Sequence, residues 1–282
     1  MTDAGRLPYI LLAPAMLFLL GFFFLPFAGV VLEGFTHGGE FTFANFEEIS
    51  HNWRFWPAIR NTLVLTLLVV PIQVVLALGM ASVVMALKTR SDVALYIFTI
   101  PLGISDIAAG LIWLTILDQS GFLNTALYQL GLIHGPQLLL GYHNVITLFA
   151  AVMVAEVWRA TAIVLVILIA GMTLIPKEYY EAAEVFGAGP WRRFLRITLP
   201  LLRPSLQTAL ILRTILAFEV FAIVQVLGGT NMPVLMGETF NWQFVMQNHG
   251  AASAYALVVL AISIAFTVFF LCWLGERKEV TR

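Results

Sequence analysis

Six long apolar runs dominate this sequence, and each is long enough to cross a lipid bilayer as a helix. A helix rises about 1.5 Å per residue, so a hydrocarbon core of about 30 Å needs about 20 consecutive apolar residues. The runs occupy residues 8–32, 59–87, 93–117, 145–175, 204–228 and 252–274. They lack the short alternating pattern of membrane β-strands. The sequence therefore predicts an all-α membrane protein with six transmembrane helices, because hydrocarbon leaves no partner for unpaired backbone groups.

Composition excludes the other broad classes. Only 11% of the residues are charged and 60% are hydrophobic, whereas soluble domains carry about 25% charged residues. A net charge of −1 leaves no basic excess for nucleic acid. The single cysteine, Cys272, excludes an intramolecular disulfide framework or a CxxC metal site. The five histidines show no ligand spacing, so we expect no metal site.

The first run predicts a retained helix rather than a cleaved signal peptide. It is too long for a signal-peptide core, and no convincing small-residue cleavage site follows it. Pro14 and Pro26 lie within it. We expect these prolines to kink the helix or to mark its ends, because proline removes a backbone donor.

The Lys and Arg residues between the runs indicate which side faces the cytoplasm. They gather after the second and fourth runs and in the two tails: Arg6, Lys88, Arg90, Lys177, Arg192, Arg193, Arg196, Arg203, Arg277, Lys278 and Arg282. Segments 118–144 and 229–251 contain no Lys or Arg. Arg54 in the first predicted outer loop is the exception to this pattern, together with Arg60 at the edge of the second run. The pattern predicts that both termini are cytoplasmic.

The cytoplasmic segment 176–204 has the punctuation of two short helices. Pro176 suits a first helical position, and Glu178 and Glu181 follow near the positive end of the helix dipole. Gly187 suits the left-handed residue that ends a helix. An ordinary solvated turn is the alternative, but a simple turn has no need of such punctuation.

Pro190 opens the second short helix of this segment. Its apolar residues follow the spacing of one helical face: Trp191, Phe194, Leu195, Thr198 and Leu199. Arginines occupy the other side, so we expect this helix to lie along the inner membrane surface. Pro200 is expected to stop it, and Pro204 to start the fifth span.

The residues of this segment also form a recognisable motif. Glu181-Ala182-Ala183, Gly187-Ala188 and Ile197-x-Leu199-Pro200 resemble the EAA loop of binding-protein-dependent ABC importer permeases. In that family the loop docks in a groove of a cytoplasmic ATPase. The resemblance implies an ATPase-coupling role for seven residues: Glu178, Glu181, Ala182, Ala183, Phe186, Gly187 and Ala188. Phe186 stands where the family usually has Asp.

Other motifs extend the resemblance over nearly the whole chain. They are Arg54-Phe55-Trp56 with Asn61-Thr62, Val157-Trp158-Arg159, Ile175-Pro176-Lys177-Glu178, and Arg213-Thr214 with Phe218 and Phe221. These look like the carbohydrate branch of the family, of the MalF/UgpA type, although the glycine-rich turn at 228–233 departs from the usual pattern. The resemblance implies a type I importer permease in a prokaryotic inner membrane. Its divisions would be 1–58 for the first helix and loop, 59–275 for the transmembrane domain with the EAA loop at 176–204, and 276–282 for a cytoplasmic tail.

The resemblance implies partners as well. We expect a second, non-identical permease subunit, two ATPase subunits and an extracytoplasmic solute-binding protein, all around a chain embedded in the lipid bilayer. ATP and Mg would belong to the ATPase subunits, and no cofactor to this chain. No lysine follows a glycine, so the phosphate-binding loop GxxxxGK[ST] is absent from the sequence, as are HExxH and GxSxG. We therefore expect no catalytic residues.

Five ionisable residues fall inside the runs: Asp106, Glu156, Arg159, Arg213 and Glu219. Each costs about 2.5–3.5 kcal/mol at a helix centre on insertion scales, so such residues face a bundle interior or a watery cavity. Glu156 and Arg159 share one helical face and can neutralise each other. Two interpretations stay open. The charges pair to fix the packing of the helices, or they line a polar path for a solute.

In sugar permeases of this family, substrate contacts come from segments that match 156–163 and 213–220 here. We therefore hypothesise a midplane site for a sugar or a glycerol-phosphate-like solute, moved by alternating access. Its residues are Glu156, Arg159, Ala160, Ile163, Arg213, Ala217, Glu219 and Val220. The alternatives are an importer permease for a polyamine, amino acid or other small solute, a secondary transporter, and a membrane-embedded enzyme with Asp106 and Glu156 as acid and base.

Overall fold

A computed structural model of the chain describes residues 7–87, 90–141 and 144–274. The helices of the first half are α1 (Leu7–Leu19), α2 (Leu25–Gly34), α3 (Ala44–His51), α4 (Phe55–Ala86), α5 (Ser91–Thr99), α6 (Asp106–Leu117) and α7 (Phe122–Gln129). Two short strands, β1 (Thr36–His37) and β2 (Glu40–Phe41), pair antiparallel between α2 and α3. Some of the Lys and Arg residues that predicted the orientation lie outside the described residues: Arg6, Lys88, Arg277, Lys278 and Arg282. His143 and the predicted tail 276–282 also lie outside them.

The second half continues with helices throughout. They are α8 (Val145–Thr173), α9 (Lys177–Val185), α10 (Pro190–Arg193), α11 (Leu199–Leu201), α12 (Arg203–Phe218), α13 (Ala222–Gly228), α14 (Leu235–Phe240) and α15 (His249–Leu274). π-helical turns interrupt the α-helices of the described residues at Leu20–Phe24, Phe194–Thr198 and Asn241–Val245. 3₁₀ turns lie at Ile100–Gly103 and Gly229–Asn231.

Four helical segments are long and apolar enough to cross a membrane without a sharp bend: Leu11–Gly34, Phe55–Ala86, Val145–Thr173 and His249–Leu274. Two more candidates are bent pairs. Ser91–Gly103 meets Asp106–Gln129 at 96°, and Pro190–Leu201 meets Arg203–Phe218 at 68°. If each bent pair is counted as one span, the described residues hold six, and the all-α membrane architecture predicted from the sequence is confirmed.

The third predicted run, 93–117, is interrupted rather than continuous. The chain leaves α5 through a 3₁₀ turn that contains Pro101, which has no backbone N–H to continue the α-helical ladder. Ser105 then takes an extended conformation, and its hydroxyl accepts a hydrogen bond from the Ala108 N–H at 3.3 Å. This N-cap starts α6 in a new direction. The bend brings Asp106, the next residue, to the first turn of α6.

The fifth predicted run, 204–228, is also broken in the structure. α12 ends at Phe218, and α13 begins at Ala222 after a residue, Phe221, with φ −140° and ψ −59°. Between them Val220 is 4% exposed and packs in a core cluster. No proline or glycine lies between Phe218 and Ala222, so no local feature of the sequence predicted the break. Irregular backbone at membrane depth is tolerated where it is buried in protein or lines a cavity.

Three helices form the centre of the bundle. α4 and α8 run in the same direction, since Leu65 shares a cluster with Leu148 and Ala81 shares the next one with Leu168. α12 runs back against them. α8 and α12 approach closely at Gly171, because a Cβ there would clash with the Ser205 hydroxyl oxygen of α12. Glycine at such a point lets two helix backbones approach.

The two ends of the bundle carry different structures. One end, which we call the loop end, carries the short helices α9, α10 and α11 that connect α8 to α12 along the chain. The opposite end carries α3 and α14, where Ile49, Phe55 and Leu235 share a core cluster with the start of α15. The first long helical segment, Leu11–Gly34, lies away from the core. Its most apolar stretch has no buried residue.

Asn45 ties this first long helical segment to the bundle. Its side chain is 1% exposed. Its amide nitrogen donates to the carbonyls of Glu33, Gly34 and Thr36 at 3.0, 3.1 and 2.9 Å. One buried side chain thus satisfies the last carbonyls of α2, which have no partner within the helix. It fixes where α2 leaves the opposite end of the bundle.

Candidate substrate and coupling sites

A buried ion-pair cluster joins the three central helices near the middle of α8. Arg213 of α12 is fully buried, and its Nη2 donates to Glu156 Oε1 at 2.6 Å. Its Nε donates to Gln73 Oε1 of α4 at 2.6 Å. The Gln73 amide in turn donates to the backbone carbonyl of Glu156 at 2.9 Å. The three side chains therefore close one hydrogen-bonded ring across α4, α8 and α12.

Arg159 extends this cluster towards the surface. Its Nη2 lies 3.2 Å from Glu156 Oε1, and its Nη1 lies 2.9 Å from Asp106 Oδ1 at the start of α6. Arg159 has 14% of its side chain exposed and Asp106 has 47%, so access from outside the chain is through Asp106 and Arg159. Two cations and two anions alternate along the cluster, and its formal charge is zero.

Polar atoms without partners lie within the cluster. Oε2 of Glu156, Nε of Arg159 and Nη1 of Arg213 are buried and have no hydrogen-bond partner among the described residues. A buried polar group without a partner costs about 1–3 kcal/mol. The cluster thus offers both an acceptor and donors. Trp113 and Trp158 pack edge to face nearby, with ring centroids 6.1 Å apart.

The other residues of the hypothesised substrate site differ in position. Ala160, Ala217 and Val220 are buried in the packing of this chain, and Ile163 is half-buried. The structure does not bring Glu219 to the cluster. It is exposed and lines a separate groove of about 310 Å³ against α15, with Ser263 and Thr267.

The acidic-alanine segment at the loop end folds as a helix, a glycine turn and a second helix. α9 ends in a Schellman motif: the Ala188 N–H donates to the Ala183 carbonyl and the Gly187 N–H to the Glu184 carbonyl, both at 2.9 Å. Gly187 has φ +74°, the left-handed conformation expected from the sequence.

The seven residues of the coupling hypothesis lie together on this turn. Glu178, Glu181, Ala182, Phe186 and Gly187 are exposed, and Ala183 and Ala188 are half-buried. Val185 and Phe186 are 85% and 88% exposed. Large apolar side chains exposed this far at a turn are typical of surfaces that contact another protein or a membrane.

Side chains hold this turn against the second short helix. The Tyr180 hydroxyl lies 3.0 Å from the Thr198 hydroxyl, and Arg193 pairs with Glu184. The expectation that Pro200 ends the second helix is wrong, because helical backbone continues to Leu201. The preceding turn, Phe194–Thr198, is π-helical, and this wider turn accommodates a proline that has no N–H to donate.

A further polar site at the opposite end was not anticipated from the sequence. Arg54 Nε donates to Glu238 Oε1 at 2.7 Å, and Glu238 is 2% exposed. Sequence reasoning also missed Gln73 and Trp113. Gln73 carried a signal, since it is an amide in the middle of an otherwise apolar run, but pairing between distant residues such as 54 and 238 has no signature in a single sequence.

A helical bundle with paired charges buried among its spans and an exposed apolar turn at one end has the features of a membrane transport subunit. The comparison with known families makes the class specific. The chain belongs to the family of binding-protein-dependent transport system inner membrane components, whose model matches residues 59–272. It is thus a multi-pass inner membrane permease subunit of an ABC importer and not an enzyme, as the sequence predicted.

Individual relatives cover nearly the full length. The trehalose/maltose transport system permease protein MalF of Thermococcus litoralis is 30% identical, over 95% of this chain and 93% of its own. The sulfoquinovosyl glycerol transport system permease protein SmoG of Agrobacterium fabrum is 31% identical, over 94% and 89%.

The fold matches solved importers. A chain of a bacterial ABC transporter involved in the import of the acidic polysaccharide alginate superimposes with a TM-score of 0.82 at 22% identity, covering 98% of this chain and 96% of that one. An amino acid ABC transporter chain gives 0.51. The predicted type I importer permease fold is therefore confirmed.

Proposed function

We propose that this chain translocates a carbohydrate by alternating access, driven by separate ATPase subunits that contact residues 178–188. The observation that carries the proposal is the exposed Schellman turn of α9, with Glu181 beside it and the 88% exposed Phe186 at its tip. A turn with these features is suited to enter a groove on another protein. It is also joined covalently to α8, which carries Glu156.

The coupling proposal follows the connections of this turn. α9 leaves α8 after Thr173, and the second short helix continues into α12 at Arg203. A movement imposed on the turn therefore acts directly on α8 and α12, which hold the charge cluster between them. Two ATPase subunits, with ATP and Mg, would impose that movement as they close and reopen. This arrangement places the loop end in the cytoplasm, in agreement with the Lys and Arg distribution of the sequence.

A carbohydrate suits the chemistry of the cluster. Sugars need hydrogen-bond donors and acceptors together with flat apolar surfaces. Arg159 and Asp106 supply hydrogen-bond donors and acceptors where the cluster is accessible. The rings of Trp158 and Trp113 supply flat apolar surfaces. Relatives named for trehalose/maltose and arabinooligosaccharides support the same class of solute. We further propose that a solute-binding protein delivers the sugar and that a second, non-identical permease subunit completes the path.

Charge and shape changes on the turn test the coupling. Glu181→Lys reverses an exposed charge, and Gly187→Asp adds one at a position with φ +74°. We expect both variants to insert into the membrane but to lose sugar uptake and sugar-stimulated ATP hydrolysis in vesicles of the complete importer. Glu40→Lys, an exposed acid at the opposite end, is the matched control and should transport normally. Normal uptake by both loop variants would contradict the coupling role.

The solute class needs a separate measurement. Uptake into vesicles of the complete importer, with its binding protein, should occur with one or more members of a labelled carbohydrate panel. Glu156→Gln and Arg159→Gln should lower this uptake. Uptake of an amino acid or a polyamine in place of every carbohydrate would refute the sugar assignment but would leave the importer role intact.

A further inference from the structure

A polar cavity of about 320 Å³ opens at the opposite end of the bundle, apart from the charge cluster. Its wall contains the Arg54–Glu238 ion pair, the amides Gln225 and Asn241, and the rings of Phe221 and Phe240. The volume is within the range of ligand pockets, about 300–1,000 Å³. Apolar rings combined with a few convergent polar groups are the usual composition of such pockets.

We propose that this cavity is a second solute subsite, which binds a neutral, hydroxyl-rich ring of the carbohydrate before the solute reaches the charge cluster. The inference rests on the proposed function, because it requires a carbohydrate as the solute. In the proposed orientation the cavity faces the side from which the binding protein delivers the sugar.

Glu238 supplies an unused acceptor at this site. The residue is 2% exposed and uses Oε1 to bind Arg54. Its other carboxylate oxygen, Oε2, is buried without a hydrogen-bond partner among the described residues. A buried acceptor that lacks a partner is costly. A sugar hydroxyl group in the cavity would supply the missing donor.

The wall of the cavity is fixed by contacts to other elements. Arg54 Nη2 donates to the Thr230 carbonyl at 3.2 Å. The Asn61 amide of α4 donates to the Pro233 carbonyl at 2.9 Å. The Leu235 N–H donates to the hydroxyl oxygen of the buried Thr62 at 3.0 Å. Because these bonds order the segment that holds Glu238, little ordering is left for a ligand to impose on binding.

Two interruptions of the helices bring the remaining groups to the wall. Phe221 follows the break between α12 and α13, and its ring stacks on that of Phe240 with centroids 4.9 Å apart and planes at 29°. Asn241 begins a π-helical turn, and π-helical turns occur frequently at functional sites. The stacked rings offer an apolar surface for the C–H face of a sugar ring, and the amides offer hydrogen bonds at its edge.

The charges favour a neutral ligand. Arg54 and Glu238 neutralise each other, so an anionic solute gains no net attraction and meets the free oxygen of a carboxylate. A cationic solute meets the guanidinium group in the same way. Hydroxyl groups, which both donate and accept, match both partners of the pair.

Protection of a single cysteine from a thiol reagent tests this subsite directly. Cys272→Ser removes the native thiol, and Thr230→Cys, at an exposed wall residue whose side chain has no assigned role in binding, then places one in the cavity wall. The complete importer in vesicles is treated with a membrane-impermeant maleimide in the presence of maltose, trehalose, lactose or raffinose. At ten times the dissociation constant of a bound sugar, about one site in eleven stays free, so labelling should slow about tenfold.

Two controls and two variants complete the test. Gln119→Cys, exposed outside the cavity, should react at a rate that no sugar changes. Glycerol 3-phosphate, an anion, should protect neither cysteine. Glu238→Gln should abolish the protection of Thr230→Cys by sugar. Asn241→Ala leaves the ion pair in place and should weaken the protection, which covers the case in which Glu238→Gln fails to fold.

The outcomes separate this subsite from the proposed function. If a sugar that the same vesicles import leaves the labelling rate of Thr230→Cys unchanged, the subsite is overturned and the proposed function still stands. A cysteine that does not react even without sugar means that another subunit covers the cavity, and it also overturns the subsite. Import of no sugar from the panel overturns both. Slower labelling with glycerol 3-phosphate alone refutes the preference for neutral ligands.

Discussion

Glu156→Gln removes the carboxylate that two guanidinium groups share. Glu156 Oε1 lies 2.6 Å from Arg213 Nη2 and 3.2 Å from Arg159 Nη2. The substitution keeps the size of the side chain and one acceptor oxygen, but it leaves the two cations facing each other. Arg159 retains Asp106 at 2.9 Å. Arg213, which is fully buried, retains only neutral acceptors among the described residues within hydrogen-bond distance, namely Gln73 and the amide oxygen of the new glutamine.

The expected loss is large because an uncompensated charge is left inside the bundle. Removing one partner of a buried ion pair costs about 3–5 kcal/mol. At about 2–4 °C per kcal/mol, the melting temperature should fall by roughly 10 °C. Adding Arg213→Gln removes the stranded cation and keeps an amide opposite Gln73. We therefore expect the double variant Glu156→Gln/Arg213→Gln to recover at least about half of the loss.

The assay is thermal unfolding of the assembled importer in detergent micelles, followed by tryptophan fluorescence. Glu219→Gln is the matched control, because Glu219 is exposed and lies outside the cluster. It should change stability by less than about 0.5 kcal/mol. Glu156→Gln/Arg159→Gln is the second comparison. It should recover less than the first double variant, because it leaves Asp106 without its cation.

One result would refute this reasoning. If the effects of Glu156→Gln and Arg213→Gln simply add, the double variant will be less stable than either single variant. Additive effects mean that the two side chains are not coupled. The cluster would then be a set of independent polar contacts, and its proposed role as a unit between α8 and α12 would fail.

Two further predictions concern the packing around the cluster and at the opposite end. Gly171→Ala forces a methyl group against the Ser205 oxygen and should lower the stability of the importer by about 1–3 kcal/mol in the same unfolding assay. Asn45→Ala removes four side-chain hydrogen bonds, three to backbone carbonyls and one with the His37 ring, each worth about 0.5–1.5 kcal/mol. It should make the connection between α2 and α3 cleavable by added protease. Gly79→Ala, with open space around the new methyl group, and Ser50→Ala are the controls. Unchanged melting of Gly171→Ala, or equal protease resistance of Asn45→Ala and the parent protein, would contradict the respective contact.

Local patterns accounted for most of the fold. The apolar runs predicted four of the six spans closely, because the length of a membrane helix is set by the bilayer and its composition by hydrocarbon, but they did not predict the bends in the third and fifth. The start and end of α9 were also predictable. Pro176 fixes its own φ through its ring, and Gly187, which has no Cβ, takes the left-handed conformation without strain. The break after Phe218 was not, because no residue there requires one.

The candidate site divides in the same way. The sequence identified Glu156, Arg159 and Arg213 as costly in a membrane, since each charge is expensive there on its own account. The site hypothesised from the sequence also included Glu219, which lies in the same predicted span as Arg213, and it did not include Gln73. Three-dimensional packing alone determined that Gln73 closes the hydrogen-bonded ring while Glu219 faces a separate groove against α15.

The sequence by itself determined that this chain is a bundle of membrane helices with a helix and a glycine turn between the fourth and fifth spans, because hydrophobic length, proline and glycine act locally. Only the tertiary structure decided which charges meet across different helices. The partners of Arg213 and of Arg54 lie 57 and 184 residues away along the chain. Contacts over such distances depend on how whole helices pack, and a buried charge selects whichever partner that packing brings within reach.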